Sequence, residues 1–314
     1  MELQTKIPLE KQSKNLIDYN SNILLLGSCF SENIGEKLDY FKFQNTQNPF
    51  GILFHPKAIE ILISNAVNGK QYSNQDVFNQ NEQWHSFDAH SRLSSNSKDD
   101  LLNALNTQVQ LTSESIQKAT HVIITLGTSW VYRFLESDKV VANCHKVPQK
   151  QFKKELLNVE DISKSLQNII NLIERVNHKA IILFTVSPVR HLKDGFIENT
   201  LAKSNLISAI HTLLNIKVLY FPSYEIMMDE LRDYRFYNQD MIHPSPLAIN
   251  YIWEKFQSIW ISDESIKTMQ EVETIQKGNQ HKPFNQNSEA HQRFLQNLND
   301  KKDQISFRFP HIKF

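Results

Sequence analysis

Asp240 and His243 stand three residues apart in FYNQDMIHPSP, ahead of a helical pattern that carries Ile249, Ile252, Trp253 and Phe256. On one turn or loop, side chains at that spacing can converge. An aspartate that orients a histidine, which then activates a nucleophile, is the general logic of a catalytic triad. The same residues also fit a plain loop, with Asp240 capping a turn and His243 facing solvent. A partner for the histidine lies far upstream in NILLLGSCFSENIGEKL, which begins at Asn22. Four apolar residues run into Gly27, followed by Ser28 and Cys29 and then a helix-like pattern. Glycine permits a tight turn, and the first N–H groups of a helix lack main-chain partners. A thiol there sits at a positive helix end, which favours thiolate, and the same N–H groups can hold an oxyanion. Alone, Cys29 is equally a small buried apolar residue.

Such a site needs strands that end together. HVIITLGTSW from His121, AIILFTVSPV from Ala180 and KVLYFPSYEI from Lys217 repeat the pattern of the first segment: a short apolar run, a turn, then amphipathic sequence. Runs of this kind suit strands buried on both faces of a parallel sheet. Between them the periodicity predicts helices over about 98–117, 158–176, 200–214, 223–233 and 246–260. Strands alternating with helices imply right-handed crossovers and a three-layer α/β/α sandwich with a mostly parallel sheet. Chemistry then gathers at the carboxyl ends of the strands, near Gly27–Ser31, Gly127–Trp130, Ser187–His191 and Ser223–Glu225. Residues 67–97, with QWHSFDAHSRLSSNS, read as a loop-rich insertion in a domain spanning 1–261. Residues 262–314 read as a helical C-terminal extension packing on that domain.

The chain has 314 residues, Lys+Arg 34 against Asp+Glu 34, and 40% hydrophobic residues, which suffices for a sizeable core. A balanced charge gives no electrostatic grip on nucleic acid or an anionic surface. No apolar run approaches the roughly 20 residues of a membrane span, and MELQTKIPLEKQSKN has no apolar stretch of a secretory leader. Two cysteines, Cys29 and Cys144, are too few for a disulfide framework. These features predict a cytoplasmic chain.

Further polar groups could line a pocket. His85, Asp88 and His90 lie within six residues, and Cys144, His145 and Lys146 are consecutive. They read either as substrate contacts, with Lys146 meeting an anion, or as loop residues with local hydrogen bonds. Neither group has structural-zinc spacing and no His-Glu-x-x-His occurs, so no metal and no cofactor is expected. Arg190, His191, Lys193 and Lys203, in SPVRHLKDGFIENTLAKS, form either an anion-recognising lid or a solvated helix start. Glu225 and Arg232 stand close to the Asp240–His243 loop in sequence, as supporting groups.

A glycine-turn nucleophile after the first strand, with Asp-x-x-His before the last helix, resembles the order of the SGNH, or GDSL-like, hydrolases. GSCFSENIG resembles the signature of the GSCFA family within that superfamily. NPFGILFHP, WHSFDAHS, GTSWVYR, VANCHKVPQKQF and KDGFIENTLAKS extend the likeness, as does FPSYEIMMDELRDYRFYNQDMIHPS, over residues 22 to 257. The resemblance implies a flavodoxin-like fold and hydrolysis or transfer of an acyl ester of a saccharide or another small hydroxylated molecule; the alternatives are a non-catalytic binding module that keeps such a pocket and a metal-dependent hydrolase built on His85, Asp88, His90, Cys144 and His145. Laid over the superfamily's Gly-Asp-Ser, GSC places Cys29 at the nucleophile and Ser28 at the aspartate, with Ser28 the second choice. The superfamily's glycine and asparagine oxyanion donors fall at Gly51, with Asn48 beside it, and at Ser129. Thr128 and Ser129 could donate through hydroxyl or backbone groups, or simply cap a helix.

Overall fold

A computed structural model describes residues 5–314, so the first four residues of the stretch read for a leader lie outside it. The strands are β1 (Asn22–Gly27), β2 (Gln44–Gln47), β3 (Phe78–Gln80), β4 (Gln83–His85), β5 (His121–Leu126), β6 (Trp130–Phe134), β7 (Lys139–Val141), β8 (Phe152–Leu156), β9 (Ile181–Val186) and β10 (Val218–Phe221). The helices are α1 (Cys29–Tyr40), α2 (Pro56–Val67), α3 (Lys98–Lys118), α4 (Val159–Val176), α5 (Phe196–His211), α6 (Ser223–Glu225), α7 (Pro246–Trp260), α8 (Asp263–Asn279) and α9 (Glu289–Arg308).

Five parallel strands form the main sheet in the order β10-β9-β5-β1-β2. Side chains alternate between its faces. Leu24 and Leu26 of β1 join one core with Ile59 of α2, Leu105 of α3, Ile169 of α4 and Leu206 of α5. Ile23 and Leu25 join the other, with Ile34 of α1, Ile252 of α7 and Val272 of α8. Burial on both faces is why these strands read as unbroken apolar runs. Each such side chain contributes about 2 kcal/mol by leaving water. The result is the expected α/β/α sandwich. From β1 the chain winds first to β2 on one side and then to β5, β9 and β10 on the other. The carboxyl ends beside that reversal form the crevice where open α/β sheets bind ligands.

Some elements differ from the sequence expectation. Residues 67–97 hold a hairpin, β3–β4, turned through Asn81 and Glu82, which both have positive φ. Paired positive φ values make the tight turn whose twist suits a two-residue hairpin. A second, antiparallel sheet, β7-β6-β8, lies outside the main one. The stretch 223–233 is no regular helix: α6 passes into a π-helical turn over Ile226–Glu230. Residues 262–314 form α8 and α9, and Met269, Ile275 and Ile305 complete the second core. Gln276 of α8 also donates from Nε2 to the Tyr40 carbonyl at 2.9 Å.

Candidate active site

The turn from β1 to α1 is shaped by main-chain contacts. Gly27 has φ +130°, and a Cβ there would stand 2.1 Å from the Thr125 carbonyl oxygen. Its N–H donates to Asn48 Oδ1 at 2.8 Å and its carbonyl accepts from Leu53 N at 2.9 Å. Ser28 is the N-cap of α1, fully buried, with Oγ accepting from Phe30 N at 3.3 Å. Cys29 is therefore the first helical residue, and its own N–H lies among those a helix cannot satisfy internally. Burial pushes the Cys29 thiol up, and Glu32 adds to this; the N–H groups of Cys29 and Phe30 and the Lys203 ammonium act the other way.

His243 sits in a loop that Asp240 organises. Asp240 Oδ1 accepts from the main-chain N–H groups of Ile242 (2.9 Å) and His243 (3.0 Å). Its Oδ2 lies 2.7 Å from His243 Nδ1. These contacts hold the Asp240 carboxyl down at about 2. An Nδ1 that faces a carboxylate carries the proton, which leaves the Nε2 lone pair free. The Arg190 N–H donates to the Ile242 carbonyl at 3.2 Å, tying this loop to the exit of β9.

Cys29 and His243, more than two hundred residues apart in sequence, line one cleft of about 570 Å³. Its apolar walls include Ile52, Phe54, Trp130, Tyr132, Val141 and Val189. Arg190 and Lys193 add cationic groups, and Thr128 and Asn143 add polar ones. Both cysteines are free, and Cys144 lines the same cleft. There, burial pushes its thiol up to about 11. His55 also reaches the lining, but its ring caps α2: Nδ1 accepts from Ala58 N and Nε2 donates to the Val141 carbonyl, both at 3.1 Å. Burial pushes His55 down to about 4, so it stays neutral.

Of the oxyanion candidates read from sequence, Thr128 alone borders the cleft. The Gly51 N–H donates to the Asn48 carbonyl at 2.7 Å. Asn48 Oδ1 is engaged by Gly27, and Ser129, fully buried, donates from Oγ to the Ala202 carbonyl at 3.2 Å. None of these three residues borders the cleft. The Thr128 N–H is itself engaged by the Phe54 carbonyl at 3.1 Å, which leaves its hydroxyl as the group to offer.

Of the suggested substrate contacts, Arg190 lines the cleft, with its guanidinium 4.0 Å from the Tyr237 ring centroid. The others lie elsewhere. His85 and His145 stack at 4.6 Å, and burial pushes His145 down to about 4. His85 is held by Ser94 Oγ at 2.6 Å and the Gln80 carbonyl at 3.1 Å, and His145 Nε2 donates to the Ser86 carbonyl at 2.7 Å. Asp88 faces a separate cavity with Lys70 and accepts from the Tyr72 hydroxyl at 3.1 Å. His90 accepts from Arg92 N at 3.2 Å, and Lys146 is an exposed turn residue with φ +59°. Glu225 is engaged by the Tyr220 hydroxyl at 2.7 Å, and Arg232 pairs with Asp229 at 2.8 Å. Among the described residues, no group of three His, Cys, Asp or Glu is arranged to hold a metal ion.

Lys203 carries more weight at the site than the sequence suggests. It is 1% exposed, and its Nζ donates to the Gly127 and Ser187 carbonyls, each at 2.7 Å. Those carbonyls immediately follow β5 and β9, so one ammonium clamps two strand exits. Burial pushes Lys203 down to about 7, while the thiol of Cys29 favours its charge. A signal existed: Asn199, Ala202, Lys203, Leu206, Ala209 and Ile210 trace the buried face of α5, and the lysine lies on it.

Comparison with known proteins adds the family. Among curated proteins, none matches the chain. A solved structure of a carbohydrate esterase family 3 from Talaromyces cellulolyticus is similar at 10% identity and a TM-score of 0.37, covering 81% of this chain and 99% of that one. A family model described as GSCFA family matches residues 22–256, and another, described as GSCFA domain protein, C-terminal domain, matches residues 272–314. With three quarters of its length inside the first of these matches, the chain belongs to the GSCFA family.

Proposed function

We propose that the chain is an acyl-transfer enzyme of the SGNH type, a hydrolase or transferase acting on an acyl ester of a saccharide or another small hydroxylated molecule. One observation carries this reading: a cysteine at a helix N-terminus and an aspartate-held imidazole line the same cleft at the carboxyl ends of the sheet. His243 Nε2 takes the Cys29 proton as sulfur attacks the ester carbonyl. The carbon–oxygen π pair moves onto oxygen, where the Cys29 N–H and the Thr128 hydroxyl receive it. Collapse breaks the bond to the leaving alkoxide, which takes the proton from His243. Water, or an acceptor hydroxyl, then resolves the thioester by the same steps in reverse. A buried thiol with a raised pKa needs that base, because little thiolate forms unaided at neutral pH.

In the same proposal, residues 1–261 form the catalytic domain and 262–314 support it, and the protein works in the reducing cytoplasm. Among the described residues no helix is long and apolar enough to cross a membrane. A binding module that uses the cleft for recognition alone is favoured by one observation, the raised thiol pKa, which makes Cys29 slow by itself.

Alkylation separates the two. In a Cys144→Ser background, iodoacetamide should modify Cys29 slowly near pH 7 and progressively faster above pH 9, because thiolate appears only as pH climbs past the raised thiol pKa. Hydrolysis of p-nitrophenyl acetate and of an acetylated saccharide should fall in step with the modified fraction. Full esterase activity in fully alkylated protein removes Cys29 from the reaction, and no turnover of any ester before alkylation favours the binding module.

A further inference from the structure

Arg190 and Lys193 bring two positive charges into a cleft walled by such residues as Ile52, Phe54 and Val189. Over the whole chain cations and anions balance, 34 against 34, so this excess is local. Arg190 is half-buried and Lys193 exposed, and both border the cleft, so both have surface to offer a ligand. Among the described residues, neither side chain forms an ion pair. The carboxylates close by are engaged: Asp194, also in the lining, pairs with Lys154 at 2.6 Å, and Asp240 holds His243. His191 adds no charge, because burial, helped by Lys203 and His243, pushes it down to about 3.

Arg190 is held in place rather than free in solvent. Its guanidinium lies over two rings, 4.0 Å from the Tyr237 centroid and 5.3 Å from that of Tyr234. A guanidinium stacked on rings keeps its fork of N–H donors for an anion at its edge. Tyr237 in turn is bridged to Pro244, the residue after His243, and the Asn238 N–H donates to the His243 carbonyl at 2.8 Å. The guanidinium thus stands over the segment paired with the histidine loop. In the acyl-transfer reading His243 gives its proton to the leaving alkoxide, so the alcohol part of the ester lies on that side.

We propose that this alcohol part carries an anionic group, a carboxylate or a phosphate, which Arg190 receives with Lys193 adding attraction. This rests on the acyl-transfer reading and narrows its substrate from any small hydroxylated molecule to an acidic one. A bidentate contact at Arg190 would also fix the orientation in which the ester oxygen meets His243.

The test reads binding and needs no turnover. In the Cys144→Ser protein, uncharged iodoacetamide alkylates Cys29, and whatever fills the cleft protects it. Benzoate and phenyl phosphate stand for the two anions, and benzamide is the neutral counterpart of benzoate. At least one anion should protect at a concentration about tenfold lower than benzamide, and the stronger of the two identifies the group. Arg190→Gln should raise the protecting concentration of that anion about tenfold or more, and that of benzamide less than about threefold. Arg190→Lys, which keeps the charge and loses the fork, should fall between. Equal protection by benzamide and both anions overturns the proposal. So does an Arg190→Gln protein, folded by its melting curve, that keeps the anion preference; if that variant does not fold, the wild-type comparison decides alone. Anion protection in a protein whose Cys29 never takes an acetyl group removes the acyl-transfer reading, and the assignment to the alcohol part with it, while the anion site stands.

Discussion

His243→Ala should lower turnover of an acyl ester by about three to four orders of magnitude while leaving thermal unfolding unchanged. The size follows from the thiol. Burial and Glu32 hold Cys29 above the ordinary thiol range, so without a base the attacking species is scarce at neutral pH. The leaving alkoxide also loses its proton donor. The side chain of His243 is 46% exposed and its ring bonds only to Asp240, so its removal leaves no buried group unmatched. Steady-state kinetics beside a melting curve check this, and near-normal kcat in a folded variant removes the histidine from the chemistry. Asp240→Asn should keep the loop, since its amide oxygen can still accept the two main-chain N–H groups, yet lower activity strongly, because its NH2 would face His243 Nδ1 and favour the wrong tautomer.

The other large effect concerns stability. Gly27→Ala should cost about 4 kcal/mol or more, or abolish folding, because two penalties coincide. A φ of +130° is closed to residues with a Cβ, and the added carbon would meet the Thr125 carbonyl oxygen at 2.1 Å. That oxygen accepts the Ser28 N–H at 3.0 Å and belongs to the neighbouring strand, so it cannot retreat without parting β1 from β5. Gly69→Ala is the control: φ is +66° there but nothing lies within 4 Å of the new carbon, so a cost of about 1 kcal/mol is expected. Urea unfolding of the two variants measures the difference. Equal midpoints would show that the β1–α1 corner yields to a side chain.

Parts of this architecture are readable from the chain and others are not. β1, β5 and β9 are plain because both faces are buried, which leaves runs such as Ile23–Leu26 unbroken. β2 is hidden: Gln44–Gln47 is four residues long, half-buried and polar at an edge of the sheet. The antiparallel sheet is equally hard to see, since Lys139–Val141 has three residues and Phe152–Leu156 carries two lysines and a glutamate. Asp240 and His243 can be read because the whole unit is local, an aspartate that bonds the loop on which its own histidine stands. Gly27 and Cys29 are legible as the close of an apolar run. Tertiary bonding decides the remainder. Whether Ser129 or Asn48 is free to donate depends on the Ala202 carbonyl and on the Glu32 carboxylate, which takes the Asn48 Nδ2 at 3.4 Å, residues far from them in sequence. Polarity alone likewise placed His85, Asp88, His90, His145 and Lys146 near a substrate, whereas stacking, carbonyl partners and a separate cavity account for most of them. Lys203 stands out only once the strand exits are assembled around it.

Everything chemical here depends on the sulfur of Cys29 accepting an acyl group with help from the imidazole of His243. Intact-mass measurement after brief exposure to an activated acetyl ester, followed by peptide mapping, addresses this directly. One acetyl group on the peptide holding Cys29 is predicted, formed far more slowly in His243→Ala and not at all in Cys29→Ala. An acetyl group on Ser28 or Cys144 instead, or the same labelling rate without His243, would contradict it.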